Sequence, residues 1–350
     1  MKVKREILQS LPKTDLHTHL DGSLRLETVI DFYKEDGKAI PDNLEDKLSV
    51  PEKCRDLADY LKAFDFPLQF LQTPARLERC TFEIAEDAAK ENIWYLELRF
   101  APFLHTREGM SIDEIITAVM EGLKKAEKKY RIKTGLILTA MRQDDPEYSE
   151  KLAQKAIKYK NEKVVALDLA GAEKGYPAKE HLEAFYRARN ENINLTIHAG
   201  EDFGPESIHQ AVHYCGAHRI GHGVRLIEDP ELMEYINDHR LPLEICLTSN
   251  IQTDAVKDFK SHPFKQYLER GVRVTLNTDS RTVSDTTMTD EYTKAVKHYN
   301  LSLANIRQLI INGFKAAFIS YDDKSRILKK AIAETEKILY EQELKVENGI

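Results

Sequence analysis

NLTIHAGE, residues 194–201, is a short apolar and β-branched run that ends in a histidine, with the carboxylate of Glu201 three positions beyond it. Such a run is typical of a buried strand, which would carry both polar groups at its carboxyl end. Three other stretches repeat the arrangement, with His or Asp at comparable positions: TDLHTHL (14–20), RIGHG (219–223) and RVTLNTD (273–279). The repetition predicts one shared edge to which four strands deliver polar side chains.

The rest of the chain alternates strand-like runs with longer amphipathic stretches. Eight strand candidates occur, at residues 14–20, 94–100, 134–140, 164–171, 194–201, 220–222, 243–247 and 272–279. Strands that alternate with helices pair in parallel, so eight such units predict an α/β fold, a (β/α)8 TIM-type barrel with additional helices. An open doubly wound sheet is the alternative. Because no low-complexity linker divides the chain, we expect residues 1–350 to form a single domain.

The composition limits the binding partners and the cellular compartment that we expect. The net charge of −7 disfavours nucleic acid as the principal partner. Four scattered cysteines without a C-x-x-C pair argue against a disulfide framework and fit a reducing, cytoplasmic setting. The start, Met1 to Glu6, lacks the apolar core of a signal peptide, and no apolar run approaches the ~20 residues of a membrane span. We therefore expect a cytoplasmic protein with no membrane partner, whose oligomeric state the sequence leaves open.

Two histidines at the first strand end indicate a metal site. His17 and His19 are two residues apart, so on a strand their side chains share one face and can reach one ion. His198 and Asp279 lie at other strand ends and would complete a set of three imidazoles and one carboxylate. This set suits zinc and leaves room for a water, although it would also accept cobalt or iron. Histidines satisfied by hydrogen bonds alone are the alternative.

Two further polar residues lie beside the predicted ligands. Glu201 is close enough to act without coordinating, and a carboxylate at a helix N-terminus is a compatible alternative. His222 lies between Gly221 and Gly223, which allow a tight turn that exposes the ring, whereas a buried, hydrogen-bonded histidine is the alternative. The two glycines do not extend to a dinucleotide-binding motif, because Leu226 stands where the third glycine belongs.

An apolar stripe runs along residues 57–68. Leu57, Tyr60, Leu61, Phe64 and Leu68 fall at helical spacing and therefore lie on one face of a predicted helix. The spacing leaves open whether this face packs into the core or covers a pocket.

His181-Leu182-Glu183 resembles the first half of the zinc signature of cytidine-type deaminases. The P-C-x-x-C half of that signature is absent from the chain. We therefore assign His181 to a helix surface.

The polar motifs, taken together, resemble those of one family. TDLHTHLDG (14–22), HAGE (198–201), RIGHG (219–223), LTSN (247–250) and LNTD (276–279) are similar, in this order, to the motif series of adenosine deaminases. RFAP (99–102) and DLAG (168–171) lie between them. The resemblance implies the barrel fold, one zinc ion per chain and hydrolytic removal of the 6-amino group from adenosine, and from 2′-deoxyadenosine, in purine salvage.

The resemblance also assigns roles residue by residue. It implies the zinc ligands His17, His19, His198 and Asp279, and the catalytic residues Glu201 and His222. A zinc-activated water would attack C6 of the purine, His222 would orient and deprotonate that water, and Glu201 would protonate N1. The implied substrate contacts are His19, Asp21 for the ribose, the backbone N–H of Gly171 for N3, Ser280 for N7, and a hydrophobic gate of Leu57, Tyr60, Leu61 and Phe64. Ser280 replaces an aspartate of the animal-type enzymes, but its hydroxyl can still donate a hydrogen bond.

Three other functions stay open at this stage. A sister deaminase that acts on adenine or another aminopurine would leave Asp21 idle. A metal-dependent amidohydrolase for esters or amides would not require a carboxylic acid at Glu201 facing a ring nitrogen. A barrel used only to bind a partner would need no water-activating constellation.

Overall fold

Eight parallel strands form the centre of the computed structural model, which describes residues 3–347 and the side chains of residues 3–341. The strands are hydrogen bonded in chain order from the first to the eighth. They are β1 (Lys13–His19), β2 (Ile93–Phe100), β3 (Lys133–Met141), β4 (Val164–Ala170), β5 (Asn194–Ala199), β6 (Arg219–His222), β7 (Leu243–Ile245) and β8 (Val274–Leu276). The two chain ends that the sequence prediction included, residues 1–2 and 348–350, lie outside the described residues.

The sheet closes between its first and last strands. A parallel bridge joins Thr18 to Asp279, where the N–H of His19 donates to the carbonyl of Asp279 over 2.6 Å. The N–H of Asp279 in turn donates to the carbonyl of His17 over 2.8 Å. The predicted (β/α)8 barrel is therefore confirmed, and the open sheet is excluded.

Sixteen α-helices lie within residues 3–347. Five of them lie between β1 and β2, and three follow β8, which gives the additional helices that were predicted. They are α1 (Arg5–Ser10), α2 (Leu26–Glu35), α3 (Leu44–Leu48), α4 (Leu57–Leu61), α5 (Asp65–Leu68), α6 (Pro74–Lys90), α7 (Ile112–Lys129), α8 (Pro146–Tyr159), α9 (Leu182–Asn190), α10 (Pro205–His209), α11 (Pro230–Asp238), α12 (Leu247–Gln252), α13 (Phe264–Glu269), α14 (Met288–Tyr299), α15 (Leu303–Ala316) and α16 (Tyr321–Glu347). Short 3-10 helices cover Lys62–Phe64, Pro102–His105, Ala178–His181 and Val224–Glu228, and a π-helical turn covers Gln210–Tyr214.

The strands are covered on both faces, as parallel strands in barrels are. All eight residues of β2 are buried, and one hydrophobic cluster extends from Val3 to Leu339. Helix boundaries follow local chemistry: Ser111 caps α7, and its hydroxyl and the carboxylate of Glu114 form a capping box. All four cysteines are buried and free, which confirms the absence of a disulfide framework. None of the helices within residues 3–347 combines the length and the apolar content needed to span a bilayer.

Four local predictions were wrong. The strand predicted at 243–247 ends at Ile245, because Leu247 already begins α12, and the strand predicted at 272–279 covers only Val274–Leu276. Apolar residues continue from strand to helix there, so hydrophobicity does not mark the boundary. Residues 57–68 form two short helices joined by a 3-10 turn; Pro67 lacks the N–H that a continuous helix would need. His181 is 2% exposed rather than on a helix surface.

Candidate active site

Five polar side chains meet at the carboxyl end of the barrel. β1 carries His17 and His19, β5 carries His198, β6 ends in His222, and Asp279 follows β8. His222 and Asp279 have φ angles of 60° and 61°, in the left-handed region that residues with a Cβ rarely adopt. Such conformations cluster at functional sites, where the surrounding structure holds them in place.

Three of the imidazoles converge through their Nε2 atoms. The Nε2 of His19 lies 3.3 Å from the Nε2 of His17 and 3.3 Å from that of His198. The Oδ1 of Asp279 lies 3.5 Å from the Nε2 atoms of His17 and His19. We call these four residues the histidine cluster. Its nitrogen spacing fits a metal, since two imidazoles on a tetrahedral zinc with Zn–N distances of 2.0–2.1 Å are about 3.3–3.4 Å apart.

Buried carboxylates fix the protonation of two of these rings. The Nδ1 of His17 lies 2.8 Å from Glu244, and the Nδ1 of His198 lies 3.1 Å from Asp168. Burial works to raise the pKa of Glu244, but Arg99 and Arg219 outweigh it and hold that pKa well below its usual value. A carboxylate can only accept, so the ring proton sits on Nδ1 and the lone pair of Nε2 faces the centre of the cluster.

Arg99 connects the two carboxylates. Its guanidinium lies 3.2 Å from Asp168 and 2.8 Å from Glu244, and it is fully buried. Burial works to raise the pKa of Asp168, whereas His198 and Arg99 keep it below its usual value. Both carboxylates therefore stay ionised beneath the histidine cluster.

Glu201 lies beside the cluster as a buried carboxyl group. It is 5% exposed, and its pKa is raised well above its usual value, first by burial and then by the charges of Asp279 and Glu173. The hydroxyl of Thr253 donates to its Oε1 over 3.0 Å, and its Oε2 lies 3.4 Å from the Nε2 of His222. Burial of this kind favours the neutral, protonated form of a carboxyl group.

The loop that carries Glu201 is held by one buried carboxylate. Glu173 accepts hydrogen bonds from the backbone N–H groups of residues 200, 201, 202 and 203, at 2.5, 3.0, 2.7 and 3.2 Å respectively. Four such bonds to one charged acceptor fix the loop, because bonds to charged groups are stronger than neutral ones.

His222 is held from its other side. The amide nitrogen of Asn250 lies 3.0 Å from its Nδ1, and the amide oxygen of Asn250 lies 3.2 Å from the Nε2 of His262. His222, Asn250 and His262 are all buried. The ring of His222 thus has a fixed orientation, with Nε2 on the side of Glu201.

A cavity of about 930 Å³, which includes its opening to solvent, lies above these residues. Twelve of the residues singled out from the sequence line it: His19, Asp21, Leu57, Tyr60, Leu61, Phe64, Leu68, Gly171, His198, Glu201, His222 and Asp279. Leu57 and Tyr60 belong to a small hydrophobic cluster with Cys54 and Val283, separate from the main core. The apolar stripe therefore covers a pocket rather than extending the core.

The predicted substrate contacts differ in their placement. Asp21 is 6% exposed, its Oδ1 has no hydrogen-bond partner among the described residues, and burial raises its pKa to about 6. At Gly171, φ is 96°, a conformation that residues with a Cβ rarely adopt, which favours glycine at this position. His17 and Ser280 are fully buried and do not line the cavity.

Sequence reasoning missed the residues that support the site. Asp168, Glu173, Glu244, Asn250, Thr253 and His262 were given no role. Asp168 and Asn250 lie within motifs that pointed to the family, but the other four stand in stretches with no recognisable pattern. Gln143 and Arg107 also line the cavity without any signal in the sequence.

Comparison with known proteins agrees with this geometry. A sequence model of the adenosine deaminase family matches residues 12–334. The adenosine deaminase of Clostridium acetobutylicum is 41% identical over 334 residues, which cover 94% of this chain and 99% of that protein. The Arabidopsis ADAL structure complexed with IMP has a TM-score of 0.85 and 29% identity, over 94% of this chain and 99% of that one.

A zinc-bound structure shares the fold at lower identity. The amidohydrolase of Burkholderia ambifaria with bound Zn has a TM-score of 0.89 and 21% identity, and the match covers 97% of this chain and 95% of that one. At this identity the likeness concerns the fold alone. The family match over most of the chain and the identity to the Clostridium enzyme are decisive: this chain belongs to the adenosine deaminase family.

Proposed function

We propose that this protein deaminates adenosine hydrolytically, so that adenosine and water give inosine and ammonia, and that it also accepts 2′-deoxyadenosine. One observation carries the proposal: a cluster of metal-ligating side chains and a buried carboxyl group with a raised pKa, Glu201, line the same cavity. Neither an ester hydrolase nor a binding protein would need that second group.

The histidine cluster would hold one zinc ion per chain through His17, His19, His198 and Asp279. The nitrogen spacing of 3.3 Å and the Nδ1 bonds to Glu244 and Asp168 support this assignment. When bound, zinc supplies Lewis-acid chemistry and lowers the pKa of water from 15.7 to about 7. The zinc-bound amidohydrolase of the same fold agrees with this choice of metal.

Glu201 would supply the proton that the ring needs. Attack at C6 breaks the aromaticity of the purine, so the reaction requires a proton at N1 as the carbon becomes tetrahedral. A carboxyl group that stays protonated at neutral pH can donate it, and general acid catalysis of this kind contributes about 10²- to 10⁴-fold. His222 would orient the attacking water from the neighbouring strand end.

Other residues at the cavity would recognise the nucleoside. Asp21 has a free carboxylate oxygen that would accept a hydrogen bond from the ribose, and Gly171 would offer its backbone N–H to N3. Leu57, Tyr60, Leu61 and Phe64 would cover the bound substrate as a gate, with His19 on its floor. Ser280 is the N7 donor that the family resemblance implies, and its hydroxyl has no hydrogen-bond partner among the described residues. Because Ser280 is buried and is not part of the cavity lining, this contact requires the lining to move when the substrate binds. We also infer that residues 1–350 fold as one domain, since a single hydrophobic cluster extends from Val3 to Leu339.

The proposal is tested with a panel of substrates. Zinc-loaded protein is incubated with adenosine, 2′-deoxyadenosine, AMP and adenine, while ammonia release and the ultraviolet spectrum are followed. We expect rapid turnover of the two nucleosides. Turnover of adenine alone would retain the chemistry but remove the role of Asp21, and preference for AMP would move the substrate towards nucleotides, as in the relative that was crystallised with IMP. Inactivity on all four would overturn the proposal.

A further inference from the structure

A chain of three hydrogen bonds leads from the backbone of α13 to the ring of His222. It begins at the backbone N–H of Phe264, which donates to the Nδ1 of His262 over 3.0 Å. The donor in this bond is unambiguous, since a backbone N–H cannot accept. The Nδ1 of His262 is therefore unprotonated, and its ring proton lies on Nε2.

The direction of the remaining bonds follows from this first one. Because the Nε2 of His262 donates, the group of Asn250 that faces it at 3.2 Å must be the amide oxygen. The amide nitrogen of Asn250 then faces the Nδ1 of His222 at 3.0 Å and donates to it. The Nδ1 of His222 thus accepts, and the single proton of the neutral ring lies on Nε2.

No alternative direction satisfies the same three groups. The side chains of His222, Asn250 and His262 are 1%, 0% and 3% exposed, so no bulk water competes for these atoms. Rotation of the Asn250 amide would set two donors against each other at His262. A buried donor left without an acceptor costs about 1–3 kcal/mol, which disfavours the rotated amide.

We infer that His262 and Asn250 are positioning residues that fix His222 as a neutral imidazole with its proton on Nε2. His222 then donates a hydrogen bond into the cavity, towards the attacking oxygen and Glu201, whose Oε2 lies 3.4 Å away. This role differs from the proton-accepting role that the family resemblance implies. In the resting enzyme, His222 orients the nucleophile but does not remove its proton.

The expected change in kcat rests on the proposed function, whereas the tautomer of His222 can be measured independently of it. The tautomer is read in the resting, zinc-loaded protein by ¹⁵N NMR after labelling of the histidines, since protonated and unprotonated ring nitrogens have well-separated shifts. The signals of His222 are those that disappear in His222→Gln. We expect a protonated Nε2 and an unprotonated Nδ1. A proton on Nδ1 in the wild-type protein would overturn the inference.

Asn250→Asp tests the tautomer of His222 most directly. It preserves the shape of the side chain but offers only acceptors, so the proton of His222 must move to Nδ1. We expect this change of tautomer and a fall in kcat of about 10- to 100-fold, as is typical when a supporting residue is lost, with zinc content and KM unchanged. If the ¹⁵N shifts of His222 in this variant match those of the wild type, the proposed chain of hydrogen bonds is wrong.

A second variant keeps the test independent of how Asn250→Asp folds. His262→Phe removes the donor that orients Asn250 and should produce a similar fall in kcat. His105→Phe is the matched control, because His105 is equally buried but bonds only to the carbonyl of Leu71. It should leave the shifts of His222 unchanged. If the wild-type protein turns over no adenosine, the proposed function fails while the NMR measurement still decides the tautomer.

Discussion

The histidine cluster and the predicted ribose contact, Asp21, differ in how far the protein itself satisfies their polar atoms. In the cluster, Glu244 and Asp168 hold two imidazoles, and Ser249 donates to Asp279. Asp21, in contrast, keeps a buried carboxylate oxygen without a partner among the described residues. Buried polar atoms are rarely left unpaired, so an exception indicates a place for a ligand. The protein itself thus satisfies the reacting half of the site, whereas we propose that the substrate completes the recognising half.

The largest expected effect is at the boundary between these halves. Glu201→Gln keeps the shape of the side chain but removes its acidic proton, so we expect kcat to fall by about 10²- to 10⁴-fold. Zinc content should not change, because Glu201 is not among the proposed ligands. Glu206→Gln, an exposed change in α10, serves as the control. Equal kcat values for Glu201→Gln and the wild type would remove the proton-donating role.

The dependence of kcat on pH is a second test of Glu201. Burial and neighbouring charges raise the pKa of Glu201 well above its usual value, so the carboxyl group keeps its proton to a higher pH than a free glutamate and loses it as the pH rises. We therefore expect kcat to decline on the alkaline side, and this limb of the profile to be absent in the residual activity of Glu201→Gln. An alkaline limb that persists in the variant would assign it to another group.

A smaller effect is expected beneath the cluster. Asp168→Asn removes the charge that holds the Nδ1 proton of His198, and loss of such a partner costs about 10- to 100-fold in metal affinity or activity. Competition with a chromophoric chelator measures the zinc affinity directly. Asp238→Asn, an exposed change at the end of α11, is the control. Unchanged zinc affinity in Asp168→Asn would show that the cluster does not depend on this support.

On the recognising side, Asp21→Asn should affect nucleosides selectively. The loss of a charged acceptor for the ribose lowers kcat/KM for adenosine by about tenfold, equivalent to ~1.4 kcal/mol, with zinc content unchanged. Residual activity on adenine, which has no ribose, should not change. Equal losses on both substrates would place Asp21 in the reacting half and break the division proposed above.

The smallest effect is expected at the gate. Tyr60→Phe removes a hydrogen bond of 2.8 Å to Ser284, which is worth about 1 kcal/mol, or roughly fivefold in kcat/KM if the gate needs it. Tyr186→Phe is the control, because Tyr186 is exposed on α9. An unchanged kcat/KM would mean that apolar packing alone closes the gate.

Separation along the chain explains which residues of the site could be predicted from the sequence. His17, His19 and the pair His198 and Glu201 stand close together at strand ends, so their local spacing revealed them. Thr253 reaches Glu201 across 52 residues and Glu173 reaches Gly200 across 27, and only the closed barrel brings them together. His262 was given no role, since nothing in its neighbourhood in the sequence points to His222. Long-range supports of this kind leave no periodic signal.

The most direct test of the account is a zinc titration of metal-stripped protein, with the initial rate of adenosine deamination as the readout. The account predicts no activity without metal, a rate that rises linearly with added zinc, and saturation at one ion per chain, with ammonia and inosine formed in equal amounts. Deamination that persists in the stripped protein, or a zinc-saturated protein that leaves adenosine unchanged, would contradict it.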